Sequence, residues 1–346
     1  MSVNLEDIAR LAGVSGATVS RIINHTGNVK PATREKVLRL IEEYHFTPNP
    51  SAQSLMTRKT NTIGVIVASM VRDHWTHILA GIDERIYELM PAQNALVMSL
   101  GSVSVLEQQQ SLLSQKLALL IRKRCDGIII AVNTRLGEKD IAALDASSIP
   151  YVIIQGHRGG TTLKSVGIDN TKASYELIER AIRLGHKRIA YVSSPTCYDY
   201  ALERKAGFLQ ALSDHGIPVR PEYMIEGNNS FECGKKSIVQ LFSMPQRPTA
   251  VVYGTDRMAF GAVCQLNEMQ VSIPGDVSIA GFDGIAELGD YHSMVPPLNT
   301  VLQPAKQLGE AAVDILYQAM KGDASRESLC IETKFIDRQT FSVPGA

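Results

Sequence analysis

The stretch "LEDIARLAGVSGATVSRIIN", residues 5–24, decides how the first part of this chain folds. Leu5, Ile8, Ala9 and Ala12 recur at helical spacing, and Gly13 supplies the kind of break that ends a helix. Ser15 is a good N-cap for a second helix, in which Val19, Ile22 and Ile23 form one apolar stripe. The opposite side, at about 100° per residue, presents Ala17, Arg21 and Asn24, with Gly16 at the tip. Two helices joined by a tight glycine-containing turn, the second with a small and polar outer face, make a helix-turn-helix whose second helix fits the DNA major groove. Small residues let the backbone come close to base edges, and Arg21 can reach a guanine or a phosphate. On pattern alone, a small helical domain that binds protein is the alternative.

Outward from this stretch, "PATREKVLRLIEEY" opens with Pro31 in a tolerated first-turn position and aligns Val37, Leu40, Ile41 and Tyr44, so three short helices can share one core. In "TPNPSAQSLMTRKTNT", Asn49 can cap and Pro50 can open a short helix, but so few residues without a core are marginal in water. Leu55 and Met56 in this basic linker suit a wedge between base steps of the minor groove, with Arg58 and Lys59 beside phosphates. An ordinary linker carrying stray hydrophobes is the competing reading.

A chain of 346 residues is too long for one core of ordinary size, and its apolar content suffices for two or three domains. Net charge is zero overall, yet residues 1–60 hold eight Lys and Arg against five Asp and Glu, a basic head on a mildly acidic body. The five cysteines are scattered and form no CxxC pair, so neither a disulfide framework nor a zinc knuckle is indicated, which fits a reducing cytosol. No basic, apolar and small-residue leader pattern opens the chain, and no apolar run approaches the ~18 residues of a membrane span. The expected location is the cytoplasm, with no membrane partner.

From residue 62 onward, apolar runs alternate with amphipathic stretches: "TIGVIV", "ALVMSL", "GIIIAV" and "YVIIQ", then "RIAYVS", "AVVYG" and "VSIAGF". This is the βα rhythm of parallel sheets covered on both faces, and two sets imply two similar subdomains. Ligands of such sheets bind beyond the carboxyl ends of the strands. Trp75, the single tryptophan, follows the first strand and can be a flat wall for a sugar or base, or can pack a helix start. His74 and His77 stand three apart but lack a third ligand at suitable spacing, so no metal is expected. Gln155 follows the fourth strand and can equally be a solvated amide.

These residues together resemble the lac repressor and purine repressor (LacI/GalR) family. The resemblance rests on residues 5–24, "TREKV", "FTPNPSAQSL" and "TNTIGVIV", and runs through "LGHKRIAYV", "ERKAGFLQAL", "RPTAVVYGTDRMAFGA", "IPGDVSIAGFDG" and "PPLNTVLQP" to cover nearly the whole chain. It implies an all-α helix-turn-helix head over residues 1–46, a hinge helix and linker over 47–60, and an α/β body over 61–346. The body would hold two doubly wound parallel-sheet subdomains of periplasmic-binding-protein type, one of about 61–158 plus 295–324 and the other of about 159–294 plus 325–346. It also implies DNA contacts from Ser15, Gly16, Ala17, Thr18, Ser20, Arg21, Asn24 and Asn28 in the head and from Ala52, Leu55 and Met56 in the hinge. Effector contacts are expected from Trp75, Gln155, Tyr198, Tyr200, Arg204, Asn229, Thr255 and Asp283.

Two departures bear on the ligand. Asn229 stands where relatives carry a stacking aromatic, and Thr255 replaces a frequent asparagine. Loss of the aromatic plate argues against a purine and towards a sugar, polyol or sugar acid. The expected partners are a pseudo-palindromic operator duplex, a carbohydrate effector and a second copy of the chain. The tail "FIDRQTFSVPGA" lacks the heptads of a tetramerising coil, so a homodimer is expected. A sugar-binding receptor without DNA function shares the two-lobed design, but the head argues against it. No P-loop, HExxH, GxSxG or GxGxxG string supports an enzyme, and no cofactor is expected.

Overall fold

The computed structural model describes residues 3–23, 27–46, 59–70, 73–101, 106–154, 164–285, 297–323 and 328–345. The chain divides into two units, Met1–Thr60 and Asn61–Ala346. Of the expected DNA and effector contacts, Asn24, Ala52, Leu55, Met56 and Gln155 lie outside the described residues.

In the first unit, α1 (Leu5–Ala12) begins at a reciprocal cap. Asn4 Oδ1 accepts from the Asp7 amide at 3.0 Å and Asp7 Oδ2 accepts from the Asn4 amide at 3.1 Å, which satisfies two donors that a helix start leaves open. Gly13 ends the helix at φ 70°, a conformation open to glycine without strain. The Ser15 Oγ accepts from the Thr18 amide at 3.2 Å and starts α2 (Gly16–Ile23), while Pro31 opens α3 (Pro31–Glu43). Ile8, Val19, Ile22 and Val37 are completely buried where the three helices meet. Tyr44 departs from the sequence expectation: it lies just past the end of α3 and is 41% exposed, because the apolar stripe stops with the helix.

The second unit contains two six-stranded sheets. The first is built from β1 (Thr62–Val67), α4 (Asp73–Leu89), β2 (Asn94–Ser99), α5 (Leu106–Arg122), β3 (Gly127–Ala131), α6 (Glu138–Ser147), β4 (Tyr151–Ile154) and β5 (Ser165–Gly167). The chain then enters the second with α7 (Asn170–Arg183), β6 (Ile189–Ser193), α8 (Asp199–Asp214), β7 (Met224–Glu226), α9 (Phe231–Phe242), β8 (Ala250–Tyr253), α10 (Asp256–Glu268), β9 (Ser278–Asp283) and β10 (Asn299–Leu302). It returns through α11 (Ala305–Met320) and β11 (Ser328–Cys330) and ends at β12 (Lys334–Ile336). The strand orders are β11-β5-β4-β3-β1-β2 and β12-β10-β9-β8-β6-β7, parallel throughout except for β12 against β10. Central strands such as "GIIIA" are buried along their whole length, as strands with helices on both faces must be.

The chain therefore crosses between subdomains three times, at 167–170, 302–305 and 330–334, several residues later than the expected boundaries near 158, 294 and 324. The short segment "SVG" pairs with β4 on one side and with the edge strand "SLC" on the other, whereas "NTVL" joins β9 in the second sheet. Three- and four-residue strands carry no long apolar run that would assign them to either sheet. Within the first subdomain α4 and α11 pack closely through Gly81 and Gly309, where an added methyl would collide with the backbone of Lys306 and Ile78 respectively. Among the described residues, no helix is long and apolar enough to cross a membrane.

Candidate functional site

The carboxyl ends of β6, β8 and β9 converge with the first turns of α8, and here a charged cluster is buried. Arg204 projects from α8 and is only 3% exposed. Its Nε donates to Asn170 Oδ1 at 2.9 Å and one terminal nitrogen donates to the Gly254 carbonyl at 2.8 Å. The guanidinium lies 3.5 Å from the centroid of the Phe282 ring and 4.9 Å from that of Tyr200, so two aromatic faces hold its plane. Asp283 Oδ1 is 3.6 Å from the same guanidinium, an ion pair rather than a direct hydrogen bond, and accepts from Gln303 Nε2 at 2.7 Å.

A second carboxylate stands behind the first. Asp256, at the start of α10, is completely buried; Oδ1 accepts from Thr300 Oγ1 at 2.6 Å and Oδ2 from the Ile285 amide at 2.7 Å. Burial pushes both carboxyls above the ordinary aspartate range; Arg204 opposes this, while the neighbouring Asp256 carboxylate pushes Asp283 further up. Two acids thus share one cation. Asp283 also has φ 126°, a conformation in which a side chain is strained, and such strain concentrates at functional positions.

Around this cluster Tyr200 accepts from Asn229 Nδ2 at 3.0 Å, and its ring stacks on Tyr198 with centroids 5.6 Å apart. Asn229 Oδ1, Thr255 Oγ1 and the Tyr191 hydroxyl are buried and have no hydrogen-bond partner among the described residues. Each is a polar group whose desolvation is uncompensated until something donates to it or accepts from it. From the other subdomain, Gln109 on α5 donates to the Tyr198 hydroxyl at 3.2 Å and accepts from Thr134 at 2.9 Å. Arg135, following β3, forms a two-pronged ion pair with Asp199 at the start of α8. These contacts join the two subdomains at the mouth of the site.

The structure brings Tyr198, Tyr200, Arg204, Asn229, Thr255 and Asp283 into one region. It places Trp75 in the packed core of the first subdomain, 5% exposed, with its ring edge-on to His74 at 5.2 Å. Sequence reading did not single out Asn170, Gln303, Gln109 or Arg135, although each stands just after a strand or near the start of a helix, where ligands of such sheets bind. In the head, Ser15, Ala17, Arg21 and Asn28 are exposed, and Gly16, Thr18 and Ser20 are half-buried. Ser15 is occupied as a cap, and an added methyl on Gly16 would stand 3.1 Å from Leu5, so Gly16 has a packing reason to be small.

A helical DNA-reading motif joined to a two-lobed body with a buried polar site defines a ligand-controlled DNA-binding regulator. Residues 4–49 match the bacterial regulatory proteins of the lacI family, and residues 60–339 match the periplasmic binding proteins and sugar binding domain of LacI family. The chain belongs to the LacI family. It is 32% identical to Catabolite control protein A of Priestia megaterium over 95% of this chain and 96% of that protein. With the Ribose operon repressor of Haemophilus influenzae it shares 31% over 97% and 98%. The Lac repressor dimer bound to operator and the anti-inducer ONPF superimposes with a TM-score of 0.84 at 28% identity, covering 99% of this chain and all of that one. The protein is a transcriptional regulator with a DNA-binding and an effector-binding domain, and it is not an enzyme.

Proposed function

We propose that the protein is a cytoplasmic repressor that reads a pseudo-palindromic operator as a homodimer and is controlled by a neutral sugar or polyol. The observation that carries the ligand class is the charge balance of the buried cluster. Arg204 already faces Asp283 and Asp256, so no surplus cation awaits a sugar acid. The unpartnered groups, Thr255 Oγ1 and Asn229 Oδ1, are neutral and match hydroxyls. The carboxylate of Asp283 accepts from adjacent hydroxyls while a remaining guanidinium N–H of Arg204 donates to a ring oxygen. The names of the relatives, a ribose operon repressor among them, and the sugar-binding description of the body family support the same class.

On the DNA side, the exposed face of α2 enters the major groove, with Ser15, Gly16, Ala17, Thr18, Ser20, Arg21, Asn24 and Asn28 supplying contacts. Ala52, Leu55 and Met56 meet the minor groove at the operator centre. Effector binding shifts the two subdomains relative to each other and so biases whether the two hinges of a dimer can pair, a coupling of two sites through a two-state element. A thermal-shift screen of the intact protein against neutral sugars, polyols, sugar acids and nucleosides tests the ligand class, because a ligand selective for the folded state raises the melting temperature. A neutral sugar or polyol is expected to stabilise the parent and to lose its effect in Arg204→Ala. Stabilisation by nucleosides or sugar acids alone would overturn the assignment.

A further inference from the structure

At the opposite end of the second sheet, where β6 and β8 begin rather than end, lies a groove of about 1000 Å³. Three connections form it: the residues leading into β6, the turn after α8, and the turn between α9 and β8. It is about one strand length, roughly 15 Å, from the effector cluster. Four cationic side chains line it, Lys187, Arg188, Arg220 and Arg247. Among the described residues none of the four forms an ion pair, although Asp214 and Glu222 are close in sequence.

The arginines are nevertheless held in place, and by neutral groups. Arg188 Nε donates to the Arg247 carbonyl at 2.8 Å, and Arg247 Nε donates to the Phe242 carbonyl at 3.0 Å. Arg220 donates to Gln246 Oε1 at 2.6 Å and lies over the Tyr223 ring at 5.4 Å. A guanidinium has five N–H donors, so fixing it through one nitrogen leaves a charged fork oriented and unspent. Surface arginines generally find a carboxylate or move freely; three fixed without one form a positive, preorganised concavity. Guanidinium forks match the geometry of phosphate oxygens, and Ile217 and Met244 offer the same groove an apolar wall.

We propose that this groove binds an organic phosphate carrying at least two negative charges, such as a nucleoside diphosphate, as a second ligand separate from the effector. The volume is that of a small-molecule site. The groove opens to solvent between turns that carry Pro218 and Pro245, which leaves a compact anion free to enter.

The test is isothermal titration of the intact protein with inorganic pyrophosphate and with adenosine diphosphate in about 0.15 M salt, where loose counterion attraction is screened. Both are expected to bind saturably, the diphosphate nucleoside more tightly because its organic part covers the apolar wall. The paired variant Arg188→Gln/Arg247→Gln should weaken binding by about ten-fold or more, the scale of a lost charge-assisted hydrogen bond. Because those arginines also anchor loops, Lys187→Gln, whose ammonium has no such anchoring bond among those described, provides a second variant with the same expected direction. Arg21→Gln in the head and Asp283→Asn, which keeps the effector cluster folded while altering it, should leave binding unchanged. Absence of saturable binding overturns the proposal, as does loss of binding in Arg21→Gln or Asp283→Asn alone. A glutamate-rich peptide that displaces the nucleotide and binds more tightly would overturn it in favour of an acidic protein partner.

Discussion

Replacing Asp283 with asparagine should stabilise the protein while removing its response to effector. Two buried carboxylates face one guanidinium in this site, and burial raises the proton affinity of both. A carboxyl whose folded pKa lies above its unfolded value favours the fold most below the unfolded pKa, near 4, and that contribution is lost as pH rises through the folded pKa. The amide introduced by Asp283→Asn would keep an acceptor for Gln303, now 2.7 Å from Asp283 Oδ1, and would leave Arg204 balanced by Asp256. The gain at pH 8 is on the order of 1–3 kcal/mol, which is a few degrees of melting temperature at this size, and it should shrink towards zero near pH 4.5. Arg204→Met should act oppositely: it leaves two buried acids without their cation, costing about 3–5 kcal/mol at pH 8 and less in acid. Melting curves of the three proteins at several pH values, followed by titration with a ligand found by screening, provide the measurement. A variant Asp283→Asn that is destabilised equally at pH 5 and pH 8 would contradict this account, since Asp283 would then be the required counter-ion of Arg204.

Three further outcomes follow from the same geometry. Arg21→Ala should lower operator affinity by roughly ten-fold or more, as expected for one base-reading arginine, without changing the melting temperature, because Arg21 is exposed; gel-shift titrations alongside melts would check this. Arg135→Ala should alter stability by less than about 1 kcal/mol, since Arg135 is 56% exposed, yet weaken effector binding by releasing the contact with Asp199 between subdomains; unchanged ligand affinity would remove that contact from the binding mechanism. Trp75, the single tryptophan, is a built-in reporter, and its fluorescence should be that of a buried indole. A saturable change in its emission with effector is expected if the core around it moves or meets ligand, and Trp75→Phe then tests whether affinity depends on the ring.

The helix-turn-helix was legible because its determinants are local. A capping serine, a glycine that breaks the helix and apolar residues at helical spacing act within one or two turns of chain, so reading them needs no knowledge of the rest. The same holds for the long strands of the body, where fully apolar runs such as "GIIIA" declare burial on both faces. Arg204 and Asp283 were singled out for a different reason, the resemblance of their motifs to a family in which those positions meet ligand, and the structure places the two in one buried cluster.

Local pattern was thus enough to find the helices of the head and the long apolar strands of the body, while the bounds of head and body came from the family resemblance. Which short strands belong to which sheet depended on the folded arrangement, since three-residue segments such as "SVG" and "SLC" are assigned by their pairing partners and not by their own composition. The same arrangement brought Asp256, Gln303 and Asn170 around Arg204 from positions far apart in the chain. It also set Trp75 within the core instead of leaving its exposure open. Burial and charge sharing are properties of what packs around a side chain, and those neighbours come from distant segments whose arrangement exists only once both sheets have formed.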